Sequence, residues 1–242
     1  MLIAGNWKMN LKYEDIINFK ETLYDFEFDN RVKMVVFPQF PLLYSAKKNL
    51  SNYNIEVGAQ TCSSELSGAY TGDVSVEIIS DIGCKYCIVG HSERREFHNE
   101  TNDFVKKASS LLFSKNIIPI ICVGETLEIK NKKITNQFIK TQIKECIPDN
   151  ISSNLVIAYE PLWAIGTGVI PDYEEIFNIH NFILDELSHI ENLKVIYGGS
   201  VNTKNCSKIF DLSTVHGALI GGSSLKFKDF LAIYKSAVKQ LV

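Results

Sequence analysis

Eight short apolar runs recur along the whole chain: LIAGNWK from Leu2, MVVFPQ from Met34, IEVGAQ from Ile55, YCIVGH from Tyr86, IIPIICVGE from Ile117, LVIAYEP from Leu155, LKVIYGG from Leu193 and VHGALIGG from Val215. Most are β-branched and continuous rather than alternating apolar with polar. Strands buried on both faces have that pattern. The stretches between them have helical spacing. In TNDFVKKASSLLF, the residues Phe104, Ala108, Leu111 and Leu112 share one face. In PDYEEIFNIHNFILDEL, Ile176, Ile179, Ile183 and Leu187 repeat near 3.6, with acidic residues in the first turn. KYEDIINFKETLYDF and KFKDFLAIYKSAVKQL repeat in the same way. Strand and helix thus alternate, with connections long enough for parallel crossovers. The pattern predicts an α/β fold, a (β/α)8 barrel occupying 1–242 as a single domain. A doubly wound open sheet is the rival; it wants about six strands and a GxGxxG after the first, whereas the first run here continues into NWKMN.

A barrel of this kind gathers its chemistry at the C-terminal ends of its strands. The first run ends in Asn6 and Lys8, the third in Gln60, and the fourth in His91 followed by SERR. The fifth ends in Cys122 and Glu125, the sixth in Glu160, the seventh in Gly198, Gly199 and Ser200, and the eighth in Gly221 and Gly222. Two glycine pairs on the last two strands, with a short helix expected near Ser223, form a candidate phosphate clamp of backbone N–H groups. Taken singly, each pair reads equally as a tight turn. Glu160 taken singly reads as a buried ion-pair member. It is followed, however, by PLWAIGTG, where Pro161, Gly166 and Gly168 flank the apolar Trp163 and Ile165. That composition suggests a lid beside a carboxylate base. His91 alone could be a hydrogen-bonded strand end, and Lys8 alone a solvated tip. Beside Glu160 they become a candidate electrophile and an oxyanion anchor.

Composition narrows the chemistry. The chain has 242 residues, 45% of them hydrophobic and 22% charged, with a net charge of −3. A mildly acidic chain is a poor partner for nucleic acid, though not for one small phosphate. No HxH or HExxH pattern occurs, so no metal is expected, and with no dinucleotide motif either, no cofactor is expected. Six cysteines include the pair Cys84 and Cys87. Because Cys87 opens an apolar strand, core thiols are the favoured reading over redox or zinc chemistry. The start MLIAGNWKMN lacks a basic stretch, and the longest apolar run is far too short to cross a bilayer. No membrane association and a cytoplasmic location are expected. One carboxylate, one imidazole, one ammonium and a phosphate clamp suit proton transfer at carbon, as in aldose–ketose exchange through an enediol.

At this point GNWKMN, GAQ, GAYTG, YCIVGHSERR, CVGE, YEPLWAIGTG, YGGSV and LIGGSSL, in this order over essentially the whole chain, resemble the triose-phosphate isomerase family. That family is itself a standard worked case for such an acid–base pair and lid. The resemblance implies interconversion of dihydroxyacetone phosphate and D-glyceraldehyde 3-phosphate without a cofactor. It implies Glu160 as base, His91 as electrophile, and Asn6 and Lys8 as the substrate-binding pair. It further implies Glu93 as the carboxylate holding the lysine, and Gly166, Ser200, Gly221 and Gly222 as phosphate-binding groups. A homodimer is also implied, in which Thr71, at the tip of the loop after the third strand, reaches the partner's active site. Four positions depart from the family pattern: Thr61 stands for Asn, Ser223 for Ala, and His216 with Leu184 for an Asp–Arg pair. The loss of both charges together predicts that this pair is replaced rather than broken. The nearest rivals are another phosphate-binding barrel, which would want a Schiff-base Lys or an Asp/Cys pair at the strand ends, and a non-catalytic phosphometabolite binder, which would not need both Glu160 and His91.

Overall fold

The computed structural model describes residues 1–165 and 170–241. Eight parallel strands close into a barrel in sequence order: β1 (Leu2–Asn6), β2 (Lys33–Phe37), β3 (Ile55–Ala59), β4 (Tyr86–Val89), β5 (Ile118–Val123), β6 (Val156–Tyr159), β7 (Lys194–Tyr197) and β8 (Gly217–Ile220). Closure is made by β1 against β8, with Leu2 opposite Gly217 and Gly5 opposite Ile220. The helices lie outside: α1 (Tyr13–Thr22), α2 (Leu43–Leu50), α3 (Val76–Asp81), α4 (Ser92–His98), α5 (Asn102–Ser114), α6 (Leu127–Asn131), α7 (Thr135–Cys146), α8 (Tyr173–Glu186), α9 (Cys206–Phe210) and α10 (Phe227–Lys239).

The runs do not alternate in polarity because they alternate between two apolar layers. Leu2, Ala4, Val35, Phe37, Ile88, Ile120, Cys122, Val156, Ala158, Ile196 and Leu219 form the inner cluster, within the barrel. Their neighbours Ile3, Val36, Val89, Ile121, Ile157, Tyr159, Val195 and Ile220 pack outward against the helices. Burying one such side chain contributes about 1.5–3 kcal/mol, so the register of every strand is enforced from both sides. Gly58 makes room inside: a Cβ there would stand 2.3 Å from the Phe37 ring. On α8, Ile176, Ile179 and Ile183 are buried, as the helical spacing requires. On α5 the buried face is Val105, Ala108, Ser109 and Leu112. The expected face is therefore rotated slightly, and Phe104 and Leu111 sit at its half-buried edges.

All six cysteines are unbonded and buried. Burial pushes the Cys84 thiol up to about 11 and raises Cys87 too, which disfavours the reactive thiolate in the CxxC pair. Among the described residues no helix is long and apolar enough to cross a membrane.

Candidate active site

Strand parity aims the polar ends. In β1, Leu2 and Ala4 face the barrel interior, and the same parity carries Asn6 to its mouth. In β6, Val156 and Ala158 do the same for Glu160. His91 has the wrong parity for this. Gly90, with φ +65°, bends the chain into the left-handed region and redirects the imidazole inward. Asn6, Lys8, His91, Glu160, Ser200, Gly221 and Gly222 thereby line one cavity of about 300 Å³, with Ile165 and Ser223 among the other lining residues.

Glu160 is almost fully buried, at 2% exposure. Its Oε1 lies 3.2 Å from His91 Nε2, and its Oε2 accepts the Ser92 N–H at 3.0 Å. Its backbone is clasped as well, because Glu160 N donates to Val123 O at 2.8 Å. Two glycines make room for it. A Cβ on Gly124 would stand 1.7 Å from the Glu160 carbonyl oxygen, and one on Gly198 would stand 2.7 Å from Glu160 Cγ.

His91 is also the N-cap of α4: its Nδ1 accepts the Glu93 N–H at 3.2 Å. A nitrogen that accepts carries no proton, so the ring proton sits on Nε2, facing the cavity. The 3.7 Å approach of Glu93 Oε2 to Nδ1 is for the same reason no ion pair. Glu93 instead holds Lys8, with Nζ 2.6 Å from Oε1.

Lys8 has a left-handed backbone, φ 51°. Several bonds fix that conformation. Asn6 Oδ1 accepts the Lys8 N–H at 3.0 Å, and Gln60 Nε2 donates at 2.8 Å to both Lys8 O and Phe37 O. Strain of this kind, about 1–3 kcal/mol, persists only where surroundings over-determine it. The sequence placed Gln60 at a strand end but gave it no role; its bonds tie the ends of β1 and β2 together.

Beside Lys8, at the end of β8, Gly221 precedes a 3-10 turn over Gly222–Leu225, where a short helix was expected near Ser223. Ser223 Oγ donates to Val201 O at 2.8 Å and Ser200 Oγ to Ala164 O at 3.1 Å, bracing the two glycine segments. Of the expected lid, Leu162–Ala164 forms a 3-10 turn and Ile165 reaches the cavity. Gly166 and Gly168 lie outside the described residues.

Sequence reasoning missed a second carboxylate's work. Glu125 is buried, and its Oε1 accepts from Trp163 Nε1 at 2.8 Å and Tyr159 OH at 3.2 Å. Burial raises its pKa above the ordinary value, against the hydrogen bonds that lower it. Only its adjacency to Gly124 in CVGE hinted at this.

Thr71 does not join the cavity. It is exposed at the tip of a loop closed by Ser63 N donating to Val74 O at 2.8 Å and Ser63 Oγ to Asp73 Oδ2 at 2.7 Å. At that loop's foot, Thr61 Oγ1 donates to Glu100 Oε1 at 3.0 Å, and Arg94 Nε reaches the same oxygen at 2.7 Å. His216 lies at the other end of the barrel, where its Nδ1 accepts the Val195 N–H at 3.1 Å. Burial first, then Lys194, lowers its pKa, so the ring is neutral near pH 7. Leu184 packs half-buried against the apolar layer. Neither position leaves an uncompensated charge, which fits replacement of the pair.

The fold and this cavity at its C-terminal mouth place the chain among the (β/α)8-barrel proteins whose polar site is built from strand ends. The sequence pattern described as "Triosephosphate isomerase" matches residues 1–237. The chain is 37% identical over 243 residues to the triosephosphate isomerase of Endomicrobium trichonymphae, covering 97% of each protein. It is 38% identical over 241 residues to that of Alkaliphilus oremlandii, covering 96% of this chain and 97% of the relative. Against that of Thermus thermophilus it is 38% identical over 246 residues, covering 98% of each. The chain belongs to the triosephosphate isomerase family.

Proposed function

We propose that the protein interconverts D-glyceraldehyde 3-phosphate and dihydroxyacetone phosphate through an enediol(ate). The observation that carries this reading is the convergence of the Glu160 carboxylate, the His91 Nε2–H and the Lys8 ammonium on one cavity that is also lined by glycine backbone. Glu160 takes the proton from the carbon beside the carbonyl and returns it to the neighbouring carbon. His91 donates its Nε2–H to the carbonyl oxygen and passes the hydroxyl proton. Lys8, held by Glu93, stabilises negative charge growing on oxygen, with Asn6 fixing the lysine backbone. Ser200, Gly221 and Gly222, together with Gly166, would receive the phosphate. Only protons move, so the reaction needs neither metal nor organic cofactor.

His91 Nε2–H faces Glu160 Oε1. That proton cannot serve a carboxylate and a carbonyl at once, so substrate binding must turn Glu160 away from His91 and towards carbon.

The active unit is proposed to be a homodimer. Met9, Tyr44, Tyr70, Ile78 and Phe97 are exposed apolar side chains on the segments following β1 to β4, one of which carries Thr71. Exposed apolar side chains of this number on neighbouring segments suit a second copy. Thr71 would then reach the partner's Asn6 and His91. The buried free thiols suit a reducing compartment, and we place the reaction in the cytoplasm.

The test is turnover of glyceraldehyde 3-phosphate by the purified protein and by Glu160→Asp. Drawing the carboxylate back by one methylene displaces it by more than 1 Å, for which a loss of about 100-fold or more is expected. Equal turnover by the two proteins would remove Glu160 from the reaction. Mass measurement in solution tests the dimer, and a fully active monomer would refute the role given to Thr71.

A further inference from the structure

Three residues beyond Glu160, the indole of Trp163 is held on two sides. Its Nε1–H donates to Glu125 Oε1 at 2.8 Å. Over its face sits Lys130 Nζ, 3.5 Å from the ring centroid. That ammonium does not wander, because Glu175 grips it with Oε1 at 2.7 Å and Oε2 at 2.8 Å. Lys130 lies on α6, after β5, and Glu175 in the first turn of α8. The two helices thus aim one cation at one ring. Neither group is fully wet: the Lys130 and Glu175 side chains are 30% and 29% exposed, so the attraction is less screened than on an open surface.

The chain between Trp163 and Glu160 is short and tightly bound. Leu162 N donates to Glu125 O at 3.0 Å, and Ala164 N to Pro161 O at 2.8 Å. Pro161 removes one further backbone freedom. A displacement of the indole is therefore passed back to Glu160 with little slack. Catalysis at carbon demands the carboxylate within a fraction of an ångström of its place.

We infer that Lys130 is a positioning residue for Glu160, acting through the face of Trp163. It touches no reacting atom. The inference rests on the isomerase reading for its functional consequence and on the cation over the ring for its geometry.

Lys130→Met keeps the length of the side chain and removes its charge. With glyceraldehyde 3-phosphate as substrate, kcat is expected to fall about fivefold while KM stays within about twofold, the size of one such contact expressed as rate. Lys130→Arg restores a cation able to stack on the ring, and with it most of the turnover. The second readout is 19F NMR of protein labelled with 5-fluorotryptophan, where two tryptophans give two resonances. In Lys130→Met the Trp163 resonance should shift, while that of Trp7, buried beside Phe19 in the outer layer, stays in place. A shifted resonance with unchanged kcat would overturn the inference, as would a loss confined to KM or an unmoved resonance. If the unsubstituted protein itself shows no turnover, the isomerase reading fails instead, and the two failures are told apart.

Discussion

His180 is a buried base that the protein must leave unprotonated. It lies on α8, fully enclosed, edge-on to Tyr159 with ring centroids 5.9 Å apart and tilted against Tyr197 at 6.4 Å. Its Nδ1–H donates to Thr214 O at 3.2 Å, while Nε2 is buried without a hydrogen-bond partner among the described residues. A second proton would have to sit on that nitrogen with nothing to accept it. Burial accordingly pushes the pKa down from 6.5 to about 3; the Thr214 carbonyl opposes the shift and His216 adds to it. The folded value lies below the unfolded one, so the unfolded chain binds the extra proton. The stabilising effect of the neutral ring is complete above about pH 6.5 and drains away as the pH falls towards 3. Between pH 7 and pH 4 the loss from this one residue is about 3 kcal/mol, from roughly 2.5 pH units at 1.36 kcal/mol each. His180→Phe keeps the edge-on packing and cannot protonate. It gives up the bond to Thr214, at a cost of about 1 kcal/mol at pH 7. Urea unfolding at fixed protomer concentration, repeated from pH 7 to pH 4, measures both effects. The variant should begin less stable and end more stable than the unsubstituted protein, with His216 cancelling between them. Parallel curves for the two proteins would refute the argument.

Gly124→Ala should be among the most damaging small changes available, because its Cβ would meet backbone, the Glu160 carbonyl at 1.7 Å. Turnover is expected to fall by about 100-fold or more as the end of β6 is pushed aside, with about 1–3 kcal/mol of stability lost; unaltered kcat/KM would show that Glu160 tolerates displacement. Leu184→Arg alone should lower stability by about 1–3 kcal/mol, since it sets a charge against an apolar layer with His216 neutral. Thermal unfolding checks this, and a gain of several kcal/mol would mean that the pair is broken here rather than replaced.

The barrel was legible because its strands are apolar on both faces, and continuous runs such as IPIICV are hard to mistake when eight recur with helices between them. Asn6, Glu160 and Gly221 were legible for a related reason: a parallel barrel aligns its strand ends. What the sequence withheld was orientation and contact across loops. His91 faces the cavity only because Gly90 bends the chain, and nothing in GHSERR states that angle. Glu125 reads as a polar strand end like any other. Its partners Tyr159 and Trp163 lie 34 and 38 residues away and meet it only after β5 and β6 pair. Lys130 reads as one exposed lysine in KNKK, and Glu175 as a first-turn acid; only folding aims both at one indole. The face of α5 was misjudged by a fraction of a turn because Val105 and Ser109, rather than the larger Phe104 and Leu111, occupy its centre.

Because strand residues alternate between two layers, the residues at the mouth also police how the barrel closes. Were β6 to slip by one position against β5 and β7, Tyr159 would move into the inner layer and Glu160 into the outer one, in the place between Val123 and Tyr197 that Tyr159 now holds. A carboxylate there has no counter-ion, and a tyrosine ring inside competes with Phe37 for space. The shifted chain is thus penalised at both layers before any substrate is met. The side chain proposed to abstract a proton is also one that makes a misassembled barrel costly, so alternative pairings are selected against during folding by the same residue to which the proposed reaction assigns the base.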